Sequence, residues 1–166
     1  MANNYTTFSF GIKSITPKEE TWIREYLTAA TKLGYEGEVD KNSEETALTP
    51  TQRHDPFYRA VKENGYIGFS WNVEPEAGKP FLWLYSEDSG TPGMAALFVQ
   101  RFLQTHRPKQ FITFSWADTC SKPRLNEFGG GAYVIHAKWM TYTTTYRFTN
   151  RHAERLLKRG FTRSMR

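Results

Sequence analysis

The order in which two hydrophobic periodicities alternate along this chain constrains its fold more than any other feature. Residues 5–12 alternate Phe8, Phe10 and Ile12 against Thr7, Ser9 and Gly11, the pattern of a half-buried strand. Thr16-Pro17-Lys18-Glu19 then offers a cap, a proline at the first helical position and a glutamate able to reach back. Ile23, Tyr26, Leu27, Ala30 and Leu33 recur at helical spacing, and Gly34 reads as the stop, so a helix is expected over 17–33. Asp55-Pro56 starts a short helix that Asn64-Gly65 ends. Ile67, Phe69, Trp71 and Val73 form a second strand over 67–73, and residues 81–86 a third, close enough to pair as a hairpin. Thr91-Pro92 opens a helix over 92–106, with Ala95, Phe98, Val99 and Phe102 on one face. Strands over 111–117 and 132–141 follow, then a last helix over 151–159 with Asn150 as its cap.

Strand, helix, strand, strand, helix, strand is the split β-α-β order. It predicts an α+β fold: a ferredoxin-like βαββαβ sandwich, an antiparallel sheet with its two main helices on one face. An extra strand and a basic C-terminal helix are added. The segment 68–74 (Gly-Phe-Ser-Trp-Asn-Val-Glu) resembles 113–119 (Thr-Phe-Ser-Trp-Ala-Asp-Thr), so the two halves are expected to be related by a pseudo-twofold. The alternative is that aromatic-Ser-aromatic is common strand grammar.

At 166 residues the chain fits one domain. An aromatic content of 16% argues against disorder. No apolar run approaches the ~20 residues of a membrane helix, and the first residues lack the basic and apolar regions of a signal peptide. A single cysteine has no internal disulfide partner, which fits a reducing cytosol. Charge is unevenly spread. Residues 147–166 carry seven basic side chains against Glu154, leaving 15 basic and 16 acidic side chains in the rest. The reading is a near-neutral body, 1–146, with a basic tail, 147–166. Residues 36–45 are an acidic stretch read as a solvated loop.

The densest cluster of functional groups lies between the fourth and fifth strands. Asp118, Cys120, Lys122, Arg124, Glu127, Gly129, Gly130 and Gly131 are its candidate binding residues. Lys122 and Arg124 would supply positive charge, and successive glycines could offer backbone N–H groups to an anion or nucleotide. The glycines precede a strand instead of a helix, and neither GxGxxG nor GxxxxGKS is present. The competing reading is a long turn whose glycines permit a bulge, with Arg124 paired to Glu127 or Asp118. Cys120 has no recognisable catalytic signature around it, and His54, His106, His136 and His152 lack metal-ligand spacing. No catalytic residue, metal or cofactor is expected, and an enzyme is the less favoured reading. In the tail, Arg147, Arg151, Arg155, Lys158, Arg159 and Arg163 are candidate nucleic-acid contacts. Exposed sheet aromatics could stack bases, although the RNP pattern is missing. A solvated tail without a partner is the alternative.

The stretch 114–132, with the strand 82–85 (Leu-Trp-Leu-Tyr) and the helix 98–103 (Phe-Val-Gln-Arg-Phe-Leu), resembles a family of short uncharacterised bacteriophage- and plasmid-borne proteins. The resemblance covers roughly 65–140 and implies a mobile-element origin, without an activity or a catalytic residue. The functional expectation is a small non-enzymatic protein that binds a host protein complex, an inhibitor of host defence of the anti-CRISPR type. A nucleic-acid-binding module and a nucleotide-handling protein centred on 118–131 are the alternatives.

Overall fold

A computed structural model describes residues 3–36, 49–76, 79–122 and 128–160 of the chain. The elements run β1 (Asn4–Ile12), α1 (Pro17–Glu36), α2 (Pro50–Arg53), α3 (Pro56–Asn64), β2 (Ser70–Glu76), β3 (Lys79–Ser86), α4 (Pro92–His106), β4 (Phe111–Cys120), β5 (Gly129–His136), β6 (Met140–Thr144) and α5 (Thr145–Leu157). The six strands form one sheet in the order β2-β3-β1-β4-β5-β6, with every neighbouring pair antiparallel. The fold is α+β.

The register decides which residues enter the core. Phe8, Phe10 and Ile12 of β1 share a face with Leu82 and Leu84 of β3, and with Phe114 of β4 and Ile135 of β5. Phe10 stacks on Phe114 with ring centroids 4.3 Å apart. Helices α1, α3 and α4 cover this face. Ile23, Leu27, Phe57, Phe98, Val99, Phe102 and Leu103 are all fully buried against it. The opposite face, bearing Ser9, Ser70, Thr113 and Ser115, is exposed. Both Phe-Ser-Trp segments therefore play the same part: Phe69 and Phe114 are buried, while Ser70 and Ser115 point away from the helices.

Several sequence-based boundaries move. The second strand, expected over 67–73, is β2 at Ser70–Glu76, because Gly68 turns the chain at φ +77° just before it, and β4, expected over 111–117, runs on to Cys120 because it stays paired with β1. Helix α1 does not stop at Gly34 but runs through it to Glu36. Gly34 is there because α1 approaches the turn after α3: a Cβ would come within 2.8 Å of the Gly65 carbonyl oxygen. The strand expected over 132–141 is two strands. The chain reverses after His136, whose N–H donates to the Trp139 carbonyl at 2.8 Å, and β6 pairs back on β5. The last helix starts at Thr145 instead of Arg151. Thr144, not Asn150, is its cap, accepting from the Arg147 N–H at 3.1 Å. A further short helix, α2, has a capping box built by Thr49 and Gln52. The acidic residues 37–45 and the segment 123–127 lie outside the described residues.

Two buried polar clusters fix the helices on the sheet. Asp55 caps α3 through the Phe57 N–H at 2.9 Å and accepts the Tyr26 hydroxyl of α1 at 2.8 Å. Arg101 of α4 lies with Nε 3.1 Å from the same carboxylate, charge-paired but off the hydrogen-bond axis. Burial, followed by the negative charge of Asp55, pushes the Tyr26 phenol far above its usual range, so it stays a donor. In the second cluster Glu19 takes the Arg107 guanidinium in two hydrogen bonds and closes a capping box with Thr16. Arg107 also donates to the carbonyls of Lys13 and Ser14, tying the end of α4 to the turn before α1.

Burial alone would raise the Glu19 pKa, but the hydrogen bonds from Arg107 and Thr16, with the Arg107 charge, hold it down to about 2. A carboxyl depressed from 4.5 to about 2 adds stability that is complete above pH 4.5 and is lost as pH falls toward 2. The drop amounts to roughly 3 kcal/mol at 1.36 kcal/mol per unit. His106 works in the same direction: burial lowers its pKa, so acid below the ordinary histidine value of 6.5 also favours the unfolded chain. Urea unfolding across the acid range should show this decline in wild type and a much shallower decline between pH 4.5 and 2 in Glu19→Gln.

Candidate functional site

One end of the sheet gathers residues that are far apart in the chain. The start of β1 lies against the end of β4, with Asn4, Tyr5 and Thr6 opposite Cys120, Thr119 and Asp118. Asn3 and Ser121 lock this edge: the Asn3 N–H donates to Ser121 Oγ and the Ser121 N–H to the Asn3 carbonyl, both at 2.9 Å. The Thr6 hydroxyl donates to Asp118 Oδ1 at 2.9 Å. On the other side, the Thr145 hydroxyl at the head of α5 donates to the Gly130 carbonyl at 3.2 Å. Between them lies a cavity of about 770 Å³, lined by Tyr5, Thr6, Asp118, Gly129, Thr145, Tyr146, Thr149 and Asn150 among others. Its walls offer hydroxyls, carboxamides and one carboxylate. Among the described residues, no lysine or arginine lines it.

Of the candidate residues between β4 and β5, Asp118, Gly129 and Gly130 meet at this cavity. Cys120 is half-buried at the end of β4, and Lys122 is exposed beyond it. Arg124 and Glu127 lie outside the described residues. The three glycines are strand residues, with Gly129, Gly130 and Gly131 opposite Asp118, Ala117 and Trp116. Their need for glycine is steric. Gly130 has φ +141°, and a Cβ there would collide with the Trp116 carbonyl oxygen. A Cβ on Gly131 would enter the Trp116 ring and the Thr143 carbonyl oxygen. β5 is thus pressed between β6 and the Trp116 indole, which a side chain at 131 would prevent.

Helix α5 stands on this end with no buried residue. Arg147, Arg151 and Arg155 follow at four-residue spacing along one exposed face, with Lys158 just past the helix and Arg159 after it. Arg163 lies outside the described residues. The Arg147 guanidinium sits over the Tyr142 ring, 5.1 Å from its centroid. At 100° per residue, Tyr146, Ala153, Leu156 and Leu157 fall on the side opposite the arginines. Leu156 and Leu157 remain 48% and 51% exposed and Tyr146 76%, so the apolar stripe has no cover among the described residues. The sequence treats the β4–β5 connection and the basic tail as separate features. The structure makes them neighbours, because β6 returns the chain to Gly130.

Two further surfaces were not singled out by residue. A second cavity of about 770 Å³ lies between the C-terminal half of α1, residues 65–70 and residues 85–89. Tyr66, Tyr85, Glu87 and Asp88 line it, and Gly65 and Gly68 turn the chain beside it with φ +79° and +77°. The glycine pair and the adjacent acids were its only sequence signals. The bare sheet face carries Trp83 stacked on Tyr85 at 4.2 Å, with the indole N–H donating to Ser9 Oγ. Among the described residues no three His, Cys, Asp or Glu side chains converge as metal ligands, and no helix is long and apolar enough to cross a membrane.

No protein-family model, curated protein or solved structure matches this chain.

Two outcomes are expected here. Gly131→Ala should lower stability by about 1–3 kcal/mol, the scale of a forced overpacking, read as a lower midpoint in thermal or urea unfolding. Among the described residues after Tyr146 none is buried, so a chain ending there should unfold cooperatively with a midpoint within a few degrees of the full chain.

Proposed function

We propose that this protein is a non-enzymatic binding protein of a phage or other mobile element. It docks on a host protein complex, in the manner of an inhibitor of host defence, with α5 and the end of the sheet beneath it as its contact surface. The observation that carries the reading is the two-sided exposure of α5. A helix that served only to bind phosphates would need its basic side. This one also leaves Tyr146, Leu156 and Leu157 in water on the other side. Exposed apolar stripes of this kind mark protein contacts, and a basic helix with an apolar face is a recurrent groove-binding form. The mobile-element origin rests on the resemblance of residues 65–140. We also assign the unit formed by β1 to β4 with α1 and α4 to the ferredoxin-like class, because its strand order β2-β3-β1-β4 is what the split β-α-β connections produce. Strands β5 and β6 then extend that sheet at one edge.

The nucleic-acid reading has its own support in the arginine face of α5 and the Trp83–Tyr85 pair on the bare sheet. Salt separates the two. Phosphate binding through about four cations would weaken by about two orders of magnitude between 50 and 200 mM salt, whereas an apolar protein contact would not. The expected result is a host complex that co-purifies with tagged protein and stays bound in high salt. Leu156→Ser with Leu157→Ser should release it while leaving the unfolding midpoint unchanged. Retention that disappears with moderate salt or nuclease, and survives the double serine variant, would replace this reading with nucleic-acid binding.

A further inference from the structure

The two edges of the sheet are not equivalent. At the β2 edge, Pro75 stands opposite Pro80 of β3. Neither has an N–H, so this pair exchanges no ladder bonds, and by alternation Pro75 presents its nitrogen to the outside. The outer row there has lost a donor at that point, and Glu74 adds a charge beside it. Proline and charge are standard protections of an edge.

Strand β6 itself has neither, and the nearest charge in contact with it, the Arg147 guanidinium, sits over the Tyr142 ring and not on the outward backbone row. Its sequence, Met140-Thr141-Tyr142-Thr143-Thr144, contains no charge, proline or glycine and is rich in strand-forming types. The hydrogen bond from His136 to Trp139 makes that pair the closing one of the hairpin. By alternation Thr141 and Thr143 face β5, and Met140, Tyr142 and Thr144 direct their backbone groups outward. No described residue pairs with that row. Thr141, Tyr142 and Thr143 are exposed, and α5 leaves across the end of the sheet, as its bond to Gly130 requires, so it does not run along the edge.

We propose that β6 is a self-association edge whose occupant is β6 of a second copy of this chain, paired antiparallel across a twofold axis. The second copy is favoured by complementarity. Antiparallel pairing of β6 with itself sets the outward positions 140, 142 and 144 against 144, 142 and 140. At Tyr142, on the axis, donors then meet acceptors on both sides without rearrangement in either chain, which is the isologous contact of a closed dimer, while the Thr144 carbonyl is shared with the first turn of α5. Protection of the other edge by Pro75 stops assembly at two copies, where two bare edges would permit an open-ended sheet. With the axis perpendicular to the sheet, β6 runs in opposite directions in the two copies, so the two α5 helices stand at opposite ends of the joined sheet and each stays open to its own partner. The proposal does not depend on the identity of that partner.

The test is mass against concentration together with amide exchange on the full chain. Sedimentation or light scattering should show 19.3 kDa when dilute and twice that mass when concentrated. Over the same range the Tyr142 and Met140 amides should become protected at least ten-fold, while the Thr141 and Thr143 amides, already bonded to β5, should stay protected throughout. Tyr142→Pro, which takes away the outward N–H together with the ring that packs on Tyr133 and under Arg147, should raise the dimer dissociation constant at least ten-fold, and Tyr142→Ala, which loses the ring but keeps the N–H, should not. Should the proline variant misfold, the wild-type exchange pattern decides alone. A chain that remains 19.3 kDa at every concentration, or a dimer in which the Tyr142 amide exchanges as fast as in the monomer, overturns the proposal.

Discussion

The Asp55 carboxylate is the point on which the helical layer depends. It ends the chain's passage into α3 by capping it, receives the hydroxyl of Tyr26 from α1, and faces Arg101 from α4. Three helices are thereby referred to one buried group only 5% exposed. Apolar contacts press the helices onto the sheet but do not choose how far each slides along its neighbour. A buried carboxylate does choose, because leaving it unpartnered costs several kcal/mol. Tyr26 extends the constraint: its ring stacks on Trp22, and its carbonyl accepts the Tyr58 hydroxyl. The Glu19–Arg107 pair does the same at the other end of α4, where four hydrogen bonds from one guanidinium join α4 to α1 and to the turn before it.

With its helices locked on one face, the molecule keeps its chemically varied surfaces elsewhere. One face of the sheet is bare, one edge is unprotected, and one end carries a polar cavity overhung by α5. Apart from Gly130, which has no room for a Cβ, the exposed side chains of these surfaces do not enter the core. That separation suits a protein that acts by contact. In the proposed reading the rigid part would present the surfaces, and binding energy would come from side chains such as Leu156, Leu157 and Tyr146, whose burial by a partner would be worth about 1.5–3 kcal/mol for each large apolar group. An α5 held on a sheet end, and not on a flexible linker, would also lose less entropy on docking.

Much of the architecture was legible in the chain because its periodicities are local. Alternation at Phe8-Ser9-Phe10 and at Phe114-Ser115-Trp116, the Thr16–Glu19 capping box, and the Asp55-Pro56 and Thr91-Pro92 starts are read from neighbouring residues alone. They settled where the main strands and helices lie, and their order settled the antiparallel arrangement with both main helices on one face. The reversal after His136 was not legible. Ala137, Lys138 and Trp139 continue the alternation of β5, and no glycine or proline marks the turn. The glycine run had a motive opposite to the one its composition suggests. Gly130 and Gly131 make room for Trp116 and the neighbouring strand, a requirement set across the sheet by residues twelve or more positions away.

What the sequence determined by itself was the layer structure and the uneven charge, since both follow from which residue types stand next to each other. What only the tertiary structure decided was the site and the edge. Asp118 and Asn150 line one cavity because β5 and β6 fold back on β4, and no local pattern records that pairing. Gly34 became an interior helical residue because a turn thirty positions on lies against it. The openness of β6 likewise depends on its being last in the strand order, which is a property of the assembled sheet and not of its five residues.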